Sequence, residues 1–254
     1  MAAEIAVRLW WDLLDLVYPQ RCPRCDAALS SGREVLCERC LSELEGKREL
    51  LGPFCPSCKR QIDPGAGGCR CEGTPAVEVA YSLGGYAEEM ESLIEAFKYK
   101  RKRKLGLFLS ELMSERLLEL EDMPSADLVV PVPLHRSKRR QRGFNQSEVI
   151  AGRLSERLEI QLGTGLVKRR KKTRTQTGLS REQRRENVRD AFEFRGEGDL
   201  QGRRVLLVDD VLTTGATMSE CARTLKDAGA EQVWGVTLAV AVGIDVLRLQ
   251  PEVR

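Results

Sequence analysis

Val205-Leu206-Leu207-Val208-Asp209-Asp210-Val211-Leu212-Thr213-Thr214-Gly215-Ala216-Thr217 decides how this chain is to be read. A run of β-formers ends in two adjacent carboxylates, a short Thr/Gly turn follows, and a helical pattern runs from Ala216 to Ala228. Backbone N–H groups of such a turn and of the helix start can hold a phosphate. The hydroxyls of Thr213, Thr214 and Thr217 add hydrogen bonds to it, and Gly215 lets the backbone come close and take a positive φ. Asp209 and Asp210, where the strand ends, are placed to accept hydrogen bonds from a sugar diol. A plain strand-to-helix crossover needs at most one capping side chain, so the double acid and three threonines exceed what capping requires.

Working outward, the 254 residues, 42% of them hydrophobic, suffice for one good core and a small appended module. No apolar run reaches the length of a bilayer span. Residues 1–18 read as an amphipathic helix with Leu9, Trp10, Leu13, Leu14 and Val17 on one face. That segment has no basic leader and no small-residue cleavage site, so it reads as docking on the body of the chain rather than as a signal peptide. The expected setting is therefore cytoplasmic.

The net charge of +3 conceals an asymmetry. Between Leu134 and Arg189 there are seventeen Lys/Arg and five Asp/Glu, and Lys98 with Lys100–Lys104 forms a basic run upstream. Such clusters attract polyanions, either polyphosphates or nucleic acid.

Eight of the nine cysteines lie between Cys22 and Cys71. Cys22-x-x-Cys25 and Cys37-x-x-Cys40 are followed by Cys55-x-x-Cys58 and Cys69-x-Cys71. Two residues between thiolates let both face one tetrahedral Zn²⁺, so the pattern predicts one or two structural zinc ions in a double ribbon over residues 19–74. Either consecutive quartets or interleaved pairs satisfy the spacing. The segment has too few aliphatics to fold alone, and metal would supply the missing stability. Cys221 reads as a small core residue.

Residues 75–254 read as alternating strands and helices, which predicts an α/β domain with a Rossmann-like parallel sheet. Strands are expected at Ala126–Pro133, Ala191–Phe194, Arg204–Asp209 and Gln232–Val240, and an extended pair at Val77–Tyr86 turning at Gly84-Gly85. Helices are expected at Glu88–Tyr99, Leu105–Leu120, Phe144–Leu158 and Ala216–Ala228, with a turn of helix at Arg184–Val188. Leu166–Gln183 reads as a long charged loop, and Arg174-Thr175-Gln176 with Arg184, Arg185 and Asn187 has the composition of a lid.

The acid pair and threonine turn resemble the 5-phosphoribosyl pyrophosphate (PRPP) motif of type I phosphoribosyltransferases. Further motifs narrow this: Pro133-Leu134-His135-Arg136, Arg142-Gly143-Phe144-Asn145-Gln146, Arg174-Thr175-Gln176, Arg185-Glu186-Asn187 and Ala191-Phe192. Together they resemble the ComF family, amidophosphoribosyltransferase-like proteins associated with DNA uptake, whose members carry an N-terminal zinc ribbon. The resemblance implies that Asp209 and Asp210 bind the ribose hydroxyls and that Thr213, Thr214, Gly215, Ala216 and Thr217 bind the 5′-phosphate. It also implies that Arg136, Arg142, Gly143 and Asn145 lie by the pyrophosphate, and that Arg174 belongs to a catalytic flexible loop. Implied with it are Mg²⁺ arriving with PRPP, and single-stranded DNA or other DNA-uptake proteins as partners. Lys98 also matches a lysine of the family. His135, the sole histidine, reads as a backbone-anchoring or solvent-exposed residue more readily than as a general base. The alternative reading keeps the fold and discards catalysis, leaving a PRPP-responsive module that binds single-stranded DNA or a partner.

Overall fold

A computed structural model describes residues 20–30, 34–46, 51–62, 69, 71, 76–99, 102–121, 123, 125–171 and 180–241. The expected leading helix, Arg174 with Gln176, and the C-terminal stretch after residue 241 lie outside them. The chain divides into two compact units, residues 1–48 and 49–254.

In the smaller unit, Arg21 bridges Ala28 in antiparallel fashion, and the Cys22 amide donates to the Ala27 carbonyl (2.8 Å). Helix α1 (Glu38–Gly46) carries Cys40 on its buried side.

The larger unit is built on a six-stranded sheet: β1 (Leu51–Phe54), β2 (Ala80–Gly85), β3 (Leu128–Pro131), β4 (Gln161–Leu162), β7 (Arg204–Leu212) and β8 (Gln232–Val240). Its spatial order is β1-β2-β8-β7-β3-β4, antiparallel only between β1 and β2. Val205 to Val208 are all buried, as expected of a central strand covered on both faces. Period-two alternation turns Val205 and Leu207 into one core with Met218, Cys221, Ala222 and Leu225 of helix α7 (Ala216–Asp227). Leu206 and Val208 point the other way, to the face where α5 (Gln146–Leu158) packs on β3 and β7 and helix α3 (Arg103–Leu118) packs on α5. Cys221 is a buried core residue, as its sequence context suggests.

The chain leaves β3 outward to β4 but leaves β7 in the opposite direction to β8. The carboxyl ends of β3 and β7 therefore flank a topological switch point, the place where open parallel sheets leave a crevice for ligand.

Several elements differ from their sequence expectations. Gly84 and Gly85 are not a hairpin turn: both lie in β2, paired with Ala239 and Val240. Ladder bonds to the long β8 override the local turn signal. The basic segment after Pro133, for which no element is expected from the sequence, forms helix α4 (Arg136–Arg142), capped by the His135 side chain and ended by Gly143 at φ 86°. The expected long loop begins with strand β5 (Val167–Arg169), which pairs with β6 (Phe192–Phe194). Helix α6 spans Arg181–Val188, three residues longer at its start, because Ser180 and Gln183 form a capping box. Helix α2 occupies Glu88–Tyr99, as expected.

The units also divide the cysteine module. β1 joins the sheet at residue 51, so the second cysteine group belongs to the larger unit, while the first belongs to the smaller. The second group follows directly on Leu51–Phe54, the segment that extends the sheet.

Candidate functional site

The switch-point crevice is a cleft of about 350 Å³ lined by Val132, Pro133 and Leu134 after β3 and by Asp209, Asp210, Val211, Thr213 and Thr217 at the end of β7. Among the described residues five cations also line it: Lys98, Lys138, Arg142, Arg169 and Arg184. Two carboxylates against five cations make a site suited to a polyanion whose neutral part sits by the acids.

Asp209 accepts from the Ser147 hydroxyl (3.0 Å) and from the Asp210 amide (2.9 Å). Burial and the neighbouring Asp210 carboxylate nevertheless push its carboxyl up to about 7. Asp210 is held by the Lys98 ammonium at 3.2 Å, with the Arg142 guanidinium at 3.9 Å. Arg142 is fixed by donating to Gln146 (2.9 Å) and lies over the Tyr99 ring, 5.3 Å from its centroid. Arg169, on β5, is buried and lies over Phe192 at 5.4 Å. Burial, followed by the charges of Arg169, Arg142 and Lys98, lowers the Lys138 ammonium. These like charges face one another at a cost that a bound polyphosphate would relieve.

Of the residues singled out in the sequence, the structure gathers Asp209, Asp210, Thr213, Thr217, Arg142 and Lys98 around this cleft. Thr214, Gly215 and Ala216 lie on the other side of the same turn, along a second cleft. Thr214 Oγ1 accepts from the Ala216 amide (3.4 Å), and Gly215 is left-handed at φ 79°, as a turn ending in a helix start requires. Arg136 and Gly143 are exposed and are not among the lining residues. Asn145 is fully buried and its carboxamide is committed: it donates to the Val132 carbonyl (3.0 Å) and caps α5 by accepting from the Ser147 amide (3.3 Å). It ties the end of β3 to α5 and does not face the cleft. His135 accepts from the Ser137 amide, which fits an anchoring role.

Sequence reasoning passed over Lys138, Arg169 and Ser147. Lys138 and Arg169 were hidden among many neighbouring cations. Ser147 carries no signal of its own, although its place one residue past the Asn145-Gln146 pair on a helix start would have been a clue.

Eight cysteines form two tetrads, Cys22/Cys25/Cys37/Cys40 and Cys55/Cys58/Cys69/Cys71, with all four Sγ atoms of each within 4.8 Å of one another. Consecutive quartets are therefore grouped, not interleaved pairs. Cys25–Cys37, Cys58–Cys69 and Cys55–Cys71 Sγ separations are 3.5, 3.5 and 3.6 Å. A tetrahedron of thiolates around zinc at about 2.3 Å has edges of about 3.8 Å, whereas a disulfide needs about 2.05 Å. The donor set thus fits zinc. The Ala27 amide lowers the Cys25 thiol to about 6, whereas burial and the adjoining thiols push Cys40 up to about 12. Four thiolates cannot share such a space without a cation among them.

A phosphoribosyl transferase domain model matches residues 145–248, and a double zinc ribbon domain model matches residues 13–73. Competence protein F of Haemophilus influenzae is 33% identical over 230 residues, covering 86% of this chain and 97% of that protein. The chain belongs to the ComF family. DNA utilization protein YhgH of Escherichia coli K12 is 32% identical to this ComF-family chain over 226 residues, again covering 86% of this chain and 97% of its own length. Among solved structures, a purine phosphoribosyltransferase from Pyrococcus horikoshii is 24% identical, with a TM-score of 0.32 over 56% of this chain and 75% of that one. The two family models, the parallel sheet with its switch-point cleft and the two cysteine tetrads give the ComF-family chain the type I phosphoribosyltransferase fold and structural zinc sites. Among its described residues, no helix is long and apolar enough to cross a membrane.

Proposed function

We propose that this protein binds PRPP with Mg²⁺ in the cleft at the end of β7 and transfers its phosphoribosyl group, releasing pyrophosphate, in the cytoplasm. The observation that carries this reading is the carboxylate pair at the switch point, faced by five cations and continuous with a threonine-rich turn at a helix start. Asp209 and Asp210 accept from the ribose 2′- and 3′-hydroxyls. The amides and hydroxyls of Thr213–Thr217 take the 5′-phosphate. Arg142, Lys138 and Arg169 take the pyrophosphate, and Arg174 adds a further positive charge to the reaction. Lys98 releases Asp210 as the ribose enters.

In the transfer, the bond from C1 to the pyrophosphate oxygen breaks and its electron pair leaves with the pyrophosphate, while a nucleophilic acceptor, water where no other is bound, forms the new bond to C1 and gives up its proton to solvent. The cations stabilise that developing negative charge, and the carboxylates stabilise the positive charge on the sugar ring. Asp209 and Asp210 are the only carboxylates lining the cleft among the described residues, so Mg²⁺ would take most of its ligands from the polyphosphate and water.

The names of the relatives, competence protein F and DNA utilization protein, support work in DNA uptake or utilisation. One observation favours the non-catalytic alternative: Tyr99 is 62% exposed at the cleft, and the exposed Arg139 and Arg140 of α4 stand on the same basic segment as Arg142. An aromatic platform beside cations suits single-stranded DNA. Pyrophosphate release from PRPP, followed with and without single-stranded DNA, separates the two. Release supports transfer, and PRPP binding without release supports a PRPP-responsive binding module.

A further inference from the structure

Gly215 is where the phosphate turn meets α7, and its neighbour in space comes from the second cysteine tetrad. A Cβ built on Gly215 would stand 2.5 Å from the Pro56 carbonyl oxygen and 3.1 Å from its carbon. Pro56 follows Cys55 in Cys55-Pro56-Ser57-Cys58, the tight turn that brings two thiolates to one ion. Phe54, Cys55, Pro56 and Ser57 are all buried. The Cys55 amide donates to the Arg60 carbonyl (2.8 Å), the Lys59 amide to the Cys55 carbonyl (2.9 Å), and the Cys58 amide to Cys55 Sγ (3.4 Å). The Lys59 ammonium donates to the very Pro56 oxygen that faces Gly215. Behind this turn, β1 anchors the segment to the sheet through Leu51↔Ser82 and Phe54↔Ala80. Ser57 then lines the second cleft, about 430 Å³, together with Thr214, Gly215 and Ala216.

We propose that the second tetrad is a positioning element for the phosphate turn: zinc at Cys55, Cys58, Cys69 and Cys71 and a phosphoribosyl ligand at Thr213–Thr217 bind cooperatively across the Pro56–Gly215 contact. This rests on the phosphoribosyl reading of the turn. Without metal, the knuckle loses the ion that fixes its backbone. In a close-packed contact with no room for even a methyl group, a shift of Pro56 is passed to Gly215. A phosphate held by the turn's N–H groups fixes the same contact from the other side. Coupling of this kind is reciprocal, so the ligand must tighten the metal by the factor that the metal tightens the ligand. The first tetrad lies in the other compact unit and serves as the internal reference.

The test follows zinc transfer from the zinc-loaded full chain to the chromophoric chelator 4-(2-pyridylazo)resorcinol, with Mg²⁺ alone and with PRPP plus Mg²⁺. The double variant Cys25→Ser/Cys37→Ser reports on the second tetrad, and Cys58→Ser/Cys69→Ser on the first. PRPP is expected to slow transfer from the second tetrad by about fivefold or more and to leave the first unchanged. Calorimetry on the same samples shows whether PRPP binds. Bound PRPP with unchanged transfer, or with equal slowing at both tetrads, overturns the proposal. Absence of PRPP binding instead overturns the phosphoribosyl reading, and a ligand-free arm then decides. Gly215→Ala, whose added methyl pushes on Pro56, is expected to speed transfer from the second tetrad alone by about fivefold or more. Wild-type transfer from that variant overturns the coupling.

Discussion

Asp209→Asn should make the ligand-free protein more stable while removing its function. In the folded chain the Asp209 carboxyl is pushed from an ordinary value of 3.8 up to about 7 by burial and by Asp210. At 1.36 kcal/mol per unit, ionising it costs the fold about 4 kcal/mol above neutrality, an upper figure for a group at the edge of a cleft. A raised carboxyl gives a definite direction: the penalty is absent below about pH 4, grows as pH rises through the window up to 7, and is complete above it. Asparagine keeps an oxygen to accept from Ser147 and from the Asp210 amide, so the two hydrogen bonds survive and only the charge is lost. Urea unfolding without PRPP, phosphate or Mg²⁺ is the assay, at pH 8, 6 and 4.5. At pH 8 the variant should exceed the wild type by about 2–4 kcal/mol, with the gap narrowing by about 1.4 kcal/mol for each pH unit below 7. A variant no more stable than wild type at pH 8, or a gap that does not change with pH, would refute the reasoning that this carboxyl is held against its preference.

Other outcomes follow from the same geometry. Ser147→Ala removes the hydroxyl donor to Asp209, so the carboxyl should rise further and PRPP affinity at pH 7 should fall by about three- to tenfold, one hydrogen bond to a charged group, with recovery toward pH 9. Calorimetry across that range checks it. Metal analysis of the purified full chain should find two zinc ions per chain, and one after Cys58→Ser/Cys69→Ser. If single-stranded DNA uses the platform beside the cleft, Tyr99→Ala should weaken it by about fivefold or more at fixed salt, and the wild-type affinity should fall steeply as salt is raised. Fluorescence anisotropy reads both.

The part of the site that follows from local chemistry was legible in the sequence. A β-forming run, two acids, threonines and a glycine at a helix start place the ligand end of β7 with little dependence on the rest of the chain. The cysteine pairs are similarly local, because their close spacing fixes two thiolates together wherever the segment sits, but their grouping into consecutive quartets was left open by the spacing and is set by the fold. What was not legible depends on pairing between distant segments. Gly84 and Gly85 read as a turn because nothing near them announces β8, the strand that holds them extended. Arg136 and Lys138 are chemically alike in sequence, and only the winding of α4 turns Lys138 into the cleft and leaves Arg136 exposed. Asn145 looks like a ligand-binding residue, but its carboxamide is consumed in joining β3 to α5. The approach of Pro56 to Gly215 spans more than 150 residues of sequence, and no local pattern could announce it.

The central claim is that the acid pair at the end of β7 and the turn after it hold PRPP. Calorimetric titration of PRPP with Mg²⁺ into the zinc-loaded full chain, and into Asp209→Asn/Asp210→Asn, tests it most directly. The account predicts saturable binding to the wild type and none to the double variant, which should remain folded. Equal affinity in the two proteins, or no binding to the wild type, would contradict it.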